Sequence, residues 1–354
     1  MEIGILRVLH YFSFFEYSPT FEEIYTFLPI KTSKIALKKA LLNLERRKKI
    51  KKIDIRYSIF DIGNKYTPVE YSIKSKNYPI SNIQYPISYK KRYETSKKKL
   101  GNWKLRLYLK LLSFFPQIRL VGLSGSIAMM NAKEEDDIDL FIITAKNRLF
   151  TGRFIALTLA QILGLRRSRD SATQFFITRE SYPARGGVPS KVKKIAFASS
   201  YNHKNKNKVC LNLFFDEANL SVPNFKKTEY VAHEILQMKP IINKHQTYEK
   251  FLWENRWIYR LFPNAQKDSR GLLKADFHGY PRKSVIQNLW KSLTDKVESL
   301  LRRLQLNIIR KHQTSEIITD TQLWFHPEDF GEKIQGFSRI KSGLTRIRKA
   351  NIHE

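Results

Sequence analysis

The sequence predicts an α+β protein: a sheet in the middle of the chain, a small helical unit closed by a hairpin ahead of it, and a helical region behind it. Three observations carry this expectation. Apolar residues recur at helical spacing through the first fifty positions, strand-length apolar or alternating runs stand at 118–123, 140–144 and 208–216, and helical spacing returns from Tyr230 onward. The 354-residue length suits about two domains, and 42% hydrophobic residues, with 23 Phe and 17 Tyr, supply real cores and exclude a disordered basic tail.

Within residues 1–60, Ile5, Val8, Leu9 and Phe12 repeat as one helix face, and Pro19 ends that helical region. Thr20 with Glu23 three residues later forms a capping-box pattern, in which hydroxyl and carboxylate satisfy the free amides of a helix start. A third helix starts at Ser33, with Leu37, Leu41 and Leu44 on one face and Lys34, Lys38, Lys39, Arg46, Arg47, Lys48 and Lys49 around the rest. Residues 50–60 alternate loosely, as a short strand pair does. Three helices, the third one basic, and a terminal hairpin resemble a winged helix-turn-helix domain. That resemblance implies a third helix in a major groove and makes Lys34, Lys38, Lys39, Arg46 and Arg47 candidate nucleic-acid contacts. The other reading is an adaptor packed on the rest of the protein, its lysines merely solvated.

Residues 61–110 read as a connector and a basic helix. Gly63, Pro68, Pro79 and Pro86 punctuate the first part. From Lys90 to Lys110 nine Lys and Arg residues meet one acid, Glu94, in a helix interrupted at Gly101. Like charges this dense repel, and a bound polyanion relieves that cost.

The third region, 111–222, carries the chemistry. The apolar run 118–123 is followed by Gly125-Ser126, a helix-like segment from Ile127 to Asn131, and then Glu134, Glu135, Asp136, Asp137 and Asp139 ahead of the strand-like 140–144. Five carboxylates in six residues are an anomaly in a basic chain, because they raise one another's pKa values unless cations are present. In an extended segment Asp137 and Asp139 share one face, a hard oxygen site suited to Mg²⁺, and Gly125 lets backbone approach a phosphate closely.

Gly125-Ser126, ten intervening residues and Asp137-Ile138-Asp139-Leu140 resemble the signature of the DNA polymerase β-type nucleotidyltransferase superfamily, and of its minimal nucleotidyltransferase domains in particular. Ala128 keeps the small position of that motif, whereas Asp136 stands where those families usually carry Ser. The resemblance implies a nucleotidyltransferase-fold mixed sheet with flanking helices, Asp137 and Asp139 as catalytic ligands of Mg²⁺ (or Mn²⁺), and Gly125 and Ser126 binding the phosphates of an NTP. It also implies a third carboxylate on a later strand. In 208–216 the central position is Asn212, which leaves the site one ligand short; a register at the strand end brings in Asp216 or Glu217 instead. Both alternatives stand at this level.

Between those strands a helix is expected over 153–165, then an insertion over 170–207 with a strand at 173–178, a loop at 183–189, and Lys204, Lys206 and Lys208 at its end. The region 223–354 reads as helical with a basic tail from Lys333. Segments 230–238 and 248–261 are amphipathic, and Val285, Leu289, Leu293, Val297, Leu300, Leu304 and Ile308 form a stripe expected to be core. His233-Glu234 begins like a zinc-protease helix, but Gln237 stands where the second histidine is required, so that activity is rejected. His326-Pro327 follows Leu323-Trp324-Phe325 and has no chemical role in this reading.

A formal charge of +32 concentrates polyanions around the protein, which favours a nucleic acid as acceptor or ligand. The single cysteine, Cys210, excludes an internal disulfide and a Cys-based zinc cluster, and is expected to pack in a strand. A basic n-region and any long apolar run are missing, which points to a cytoplasmic protein without a membrane span. The expected function is Mg²⁺-dependent transfer of a nucleoside monophosphate from an NTP to an acceptor; the rival is a nucleic-acid-binding protein whose transferase domain is inactive.

Overall fold

The computed structural model describes residues 1–54, 69–73, 85–167, 207–268, 285–311 and 316–325. The expected strand at 173–178, the loop at 183–189, Lys204, Lys206, His326-Pro327 and the tail from Lys333 lie outside the described residues.

The N-terminal unit has helices α1 (Glu2–Phe14), α2 (Phe21–Phe27) and α3 (Lys34–Arg46), then strands β1 (Ile50–Asp54) and β2 (Val69–Ile73). The capping box forms as the sequence predicts: Thr20 N–H donates to Glu23 Oε2 at 2.7 Å, and Glu23 N–H donates to Thr20 Oγ1 at 3.3 Å. The strand pair differs from expectation. β1 runs antiparallel to β2, Ile50 against Ile73, so the hairpin closes with residues beyond position 60 and Tyr71 joins the packing against the helices.

Two helices follow, α4 (Tyr85–Leu100) and α5 (Trp103–Phe114), broken at Gly101 as the sequence predicts. Asn102 restarts the second by accepting from Lys104 N–H through its side chain, at 2.9 Å.

The central region is mixed α+β. In chain order it contains β3 (Ile118–Leu123), α6 (Gly125–Ala128), β4 (Ile138–Thr144), α7 (Leu149–Ile162), β5 (Val209–Asp216), α8 (Glu229–Gln237), β6 (Lys239–Asn243), α9 (Thr247–Glu254), α10 (Ile258–Leu261), α11 (Val285–Arg310), β7 (Ile317–Ile318) and β8 (Gln322–Trp324). One six-stranded sheet runs in the order β6-β3-β4-β5-β8-β7, with β4 and β5 parallel and every other pair antiparallel. The parallel pair requires a crossover, and α7 lies on that connection. The C-terminal region, expected to be helical, therefore also gives strands to the sheet. Among them β6 is largely exposed at the sheet edge and shows no alternation, so its pattern carries no strand signal.

Each face of the sheet has its own core. On one face Val121, Ile142 and Phe214 pack with Leu105, Tyr108 and Leu112 of α5, Ala156 and Ala160 of α7, and Leu306 of α11. On the other, Leu120, Phe141, Ile143 and Phe215 join Ile5, Phe12, Ile24 and Leu37 of the N-terminal helices and Ala232, Ile235 and Phe251 of α8 and α9. The first three helices thus share a core with the sheet.

The stripe on α11 is not core. Leu293, Val297, Leu300, Leu304 and Ile308 are exposed, and the inward face uses Gln305, Leu306 and Ile309. Polar groups make this seam: Gln305 Nε2 donates to the carbonyl of Phe150, Arg153 donates to Gln305 Oε1, and Glu298 accepts from the N–H groups of Phe150 and Thr151, satisfying free amides at the start of α7. Among the described residues no helix is long and apolar enough to cross a membrane.

Candidate functional site

The site lies where β3 ends and β4 begins. Antiparallel pairing sets Leu123 opposite Leu140, and Ser124 N–H donates to the carbonyl of Asp139 at 3.1 Å, so the Gly125-Ser126 step is carried directly onto the acidic strand. Gly125 has a φ of +61°, the left-handed region, and a Cβ there would stand 2.6 Å from Asp139 Oδ2. Only glycine allows backbone and carboxylate to approach this closely.

The acidic loop is fixed from below by α4. The ammonium of Lys99, itself buried, donates to the carbonyls of Glu134, at 3.0 Å, and Asp136. Ser96 Oγ accepts from Ala132 N–H at 3.0 Å. Asp136 turns inward: its Oδ2 accepts from Ser126 Oγ and from Lys133 N–H, both at 2.9 Å. Asp136 therefore shapes the loop and holds the Ser126 hydroxyl, and it stands outside the ligand cluster.

Donor atoms of Asp137, Asp139 and Cys210 lie within 4.8 Å of one another. Cys210 arrives because β5 runs parallel to β4 with Asp139 beside Cys210. Its thiol hydrogen-bonds Asp139, and the Asn212 amide contacts its sulfur. Arg167, at the end of the segment after α7, donates to Asp137 Oδ2 at 2.8 Å and lies 3.7 Å from the same sulfur. Burial, reinforced by the Asp137 charge, raises the Asp139 carboxyl well above the usual carboxylate range. Burial and the two carboxylates likewise push the Cys210 thiol up.

The third-carboxylate expectation is corrected. Asp216 pairs with Thr144 at the opposite end of the parallel strands, five residues and about 16 Å from Asp139. There it accepts from Ala218 N–H at 2.7 Å and Arg148 N–H at 3.0 Å, a structural cap at the start of α7. Glu217 is ion-paired to Lys250 and Arg119 at that same end. Asn212 lies nearer the site but is an amide, and the side chain beside Asp139 is a thiol. Lys208 donates to the Gly164 carbonyl. Sequence reasoning missed Cys210 and Arg167, since only the strand register and the path of the chain after α7 bring them to the acids.

It also missed Glu234. This α8 side chain accepts from Gly125 N–H at 3.3 Å, occupying an amide that faces the site, and burial pushes its carboxyl up to about 7. The native state thus keeps the Glu234 proton up to about pH 7 whereas the unfolded chain releases it near 4.5. Its contribution to stability is complete below about pH 4.5 and is lost as pH rises to about 7. Glu234→Gln, which keeps an acceptor for Gly125, is expected to flatten that loss, worth no more than about 3 kcal/mol. Urea unfolding of both proteins at pH 5 and pH 8 checks this; parallel losses in the two contradict it.

Of the candidate nucleic-acid residues, Lys34, Lys38, Lys39 and Arg46 lie on α3 and Arg47 is its C-cap. Lys38, Lys39 and Arg46 are exposed. Lys34 is ion-paired to Glu22 at 2.5 Å, and Arg47 to Glu2 at 3.3 Å.

Two carboxylates beside a backbone cradle fit a divalent cation, and Arg167 already supplies one cationic partner to the pair. The third donor, a thiol, departs from the all-oxygen set that Mg²⁺ prefers. Compared with protein-family models, with curated proteins and with solved structures, the chain gives no match.

Proposed function

We propose that the protein is a divalent-metal-dependent nucleotidyltransferase that moves a nucleoside monophosphate from an NTP to an acceptor hydroxyl or similar group. One observation carries this reading: Asp137 and Asp139 meet Gly125 at the junction of two antiparallel strands, in a loop anchored by a buried lysine. A bound divalent ion supplies charge neutralisation at the transferred phosphoryl group and the leaving oxygen.

The chain's own residues do the rest. Asp137 and Asp139 hold the ion at the strand lip. Gly125, lacking a side chain, lets the backbone stand against the Asp139 carboxylate, and its N–H exchanges the Glu234 carboxyl for a phosphate oxygen. Asp136 orients the Ser126 hydroxyl at the same edge. The three-helix unit with its two-stranded sheet supports the winged-helix reading, and Lys38, Lys39 and Arg46 suit a nucleic-acid acceptor, whose phosphates they would meet.

Calorimetry with an NTP and each of Mg²⁺, Mn²⁺, Zn²⁺ and Co²⁺ in turn is expected to show binding that requires a divalent metal. Asp137→Asn or Asp139→Asn should weaken it by roughly tenfold or more. Absence of metal-dependent NTP binding in the unaltered protein overturns the transferase reading.

The Arg167–Asp137 ion pair, and a cluster that has no third carboxylate among the described residues, favour a second reading, a nucleic-acid-binding protein with an inactive transferase fold. Gel shifts with a steep salt dependence, unchanged by the Asp substitutions and without nucleotide turnover, distinguish it from the enzyme.

A further inference from the structure

We infer that the cation at Asp137 and Asp139 is a thiophilic one, of the Zn²⁺ or Co²⁺ class, with Cys210 as its third protein ligand. The inference rests on the proposed metal-dependent reading of the same site and names the metal chemistry that this chain's residues select.

Three features of the site point the same way. First, two carboxylate oxygens and one sulfur converge within 4.8 Å of one another, Asp139 and Cys210 from the parallel strands β4 and β5 and Asp137 from the residue just before β4. Ligand atoms 2.0–2.3 Å from a shared zinc stand roughly 3.5 Å apart, so small side-chain movements close the set. Second, three protein donors plus one free position is the arrangement of catalytic zinc sites, in which the fourth position takes water or substrate. Gly125, without a Cβ, lets the Asp139 carboxylate take its place against the backbone, since a Cβ would stand 2.6 Å from the carboxylate oxygen. Third, the charges close. Two carboxylates and a thiolate carry three negative charges, and one divalent ion with the Arg167 guanidinium, 2.8 Å from Asp137, carries three positive ones.

A hard ion gains little from such a set. Mg²⁺ demands oxygen donors in near-octahedral geometry, and sulfur on one side of the cluster withholds a ligand from it. Zn²⁺ and Co²⁺ accept mixed oxygen and sulfur donors at low coordination number. The thiol gives up its proton when the ion binds, and the hydrogen bond it now makes to Asp139 is replaced by a shared ion.

The chain has one cysteine, which makes the test direct. Titrating the full chain with Co²⁺ is expected to produce a thiolate-to-cobalt charge-transfer band in the near ultraviolet, removed by stoichiometric Zn²⁺ and resistant to excess Mg²⁺. Cys210→Ser should abolish the band and raise the Kd for Zn²⁺ by roughly tenfold or more. Cys210→Asp should restore an all-oxygen set and shift preference toward Mg²⁺, with circular dichroism confirming that both variants are folded. If Mg²⁺ supports NTP binding while Co²⁺ gives no band, or if Cys210→Ser binds Zn²⁺ as tightly as the unaltered chain, the thiophilic assignment falls and the transferase reading stands. If no divalent ion binds, both fall.

Discussion

Replacing His233 by Ala is expected to lower the unfolding free energy by about 3 kcal/mol, the cost of removing a buried aromatic side chain. The ring stacks on Tyr11 at 3.7 Å and on Phe27 at 4.1 Å, with Phe12 and Phe262 set edge-on around it. It therefore joins α8 to two N-terminal helices at once. Burial, reinforced by the Arg7 charge, holds its pKa well below the ordinary 6.5, and its Nδ1 has no hydrogen-bond partner among the described residues. The native ring stays neutral while the unfolded chain takes up a proton below about pH 6.5. The His233 contribution is therefore present above that pH and lost as pH falls. His233→Phe should keep most of the stacking and remove this acid sensitivity. Urea unfolding at pH 5 and 7.5 tests both variants, and a loss below about 1 kcal/mol for the Ala variant contradicts the keystone role.

Gly125→Ala is expected to abolish, within the range of calorimetry, the metal-dependent NTP binding that the proposed function requires. The positive φ costs an L residue about 1–2 kcal/mol, and the added methyl meets Asp139 Oδ2 at 2.6 Å, so the carboxylate must leave its place. Stability should fall by only about 1–3 kcal/mol, because the strands on either side remain paired. A folded Gly125→Ala variant that binds nucleotide and metal as the unaltered protein does would show that the close approach has no part in binding.

Much of the sheet was legible in the sequence. β3, β4 and β5 are apolar enough to be recognised one at a time, and the Thr20–Glu23 capping box and the break at Gly101 are local signals that form as expected. What failed to show depended on register. Placing Asp216 requires knowing that β5 runs parallel to β4 with Asp139 beside Cys210, and no local pattern gives that pairing. The α11 stripe misled because its inward face mixes Leu306 and Ile309 with Gln305 and Glu298, whose hydrogen bonds to the start of α7 fix the seam. Glu234 was passed over because its partner, the Gly125 amide, lies 109 positions away.

The order of the strands in the sheet also constrains how the protein can be synthesised. β5 is lined on one side by β4 and, among the described residues, its other edge pairs with β8, with Leu213 facing Trp324. While a ribosome is still making the intervening stretch, that edge offers unpaired backbone groups beside Phe214 and Phe215. Such an edge invites pairing with another nascent chain. Completion of the sheet waits on Gln322–Trp324, so a slow or interrupted translation should raise aggregation more than it would in a protein whose neighbouring strands are neighbours in sequence.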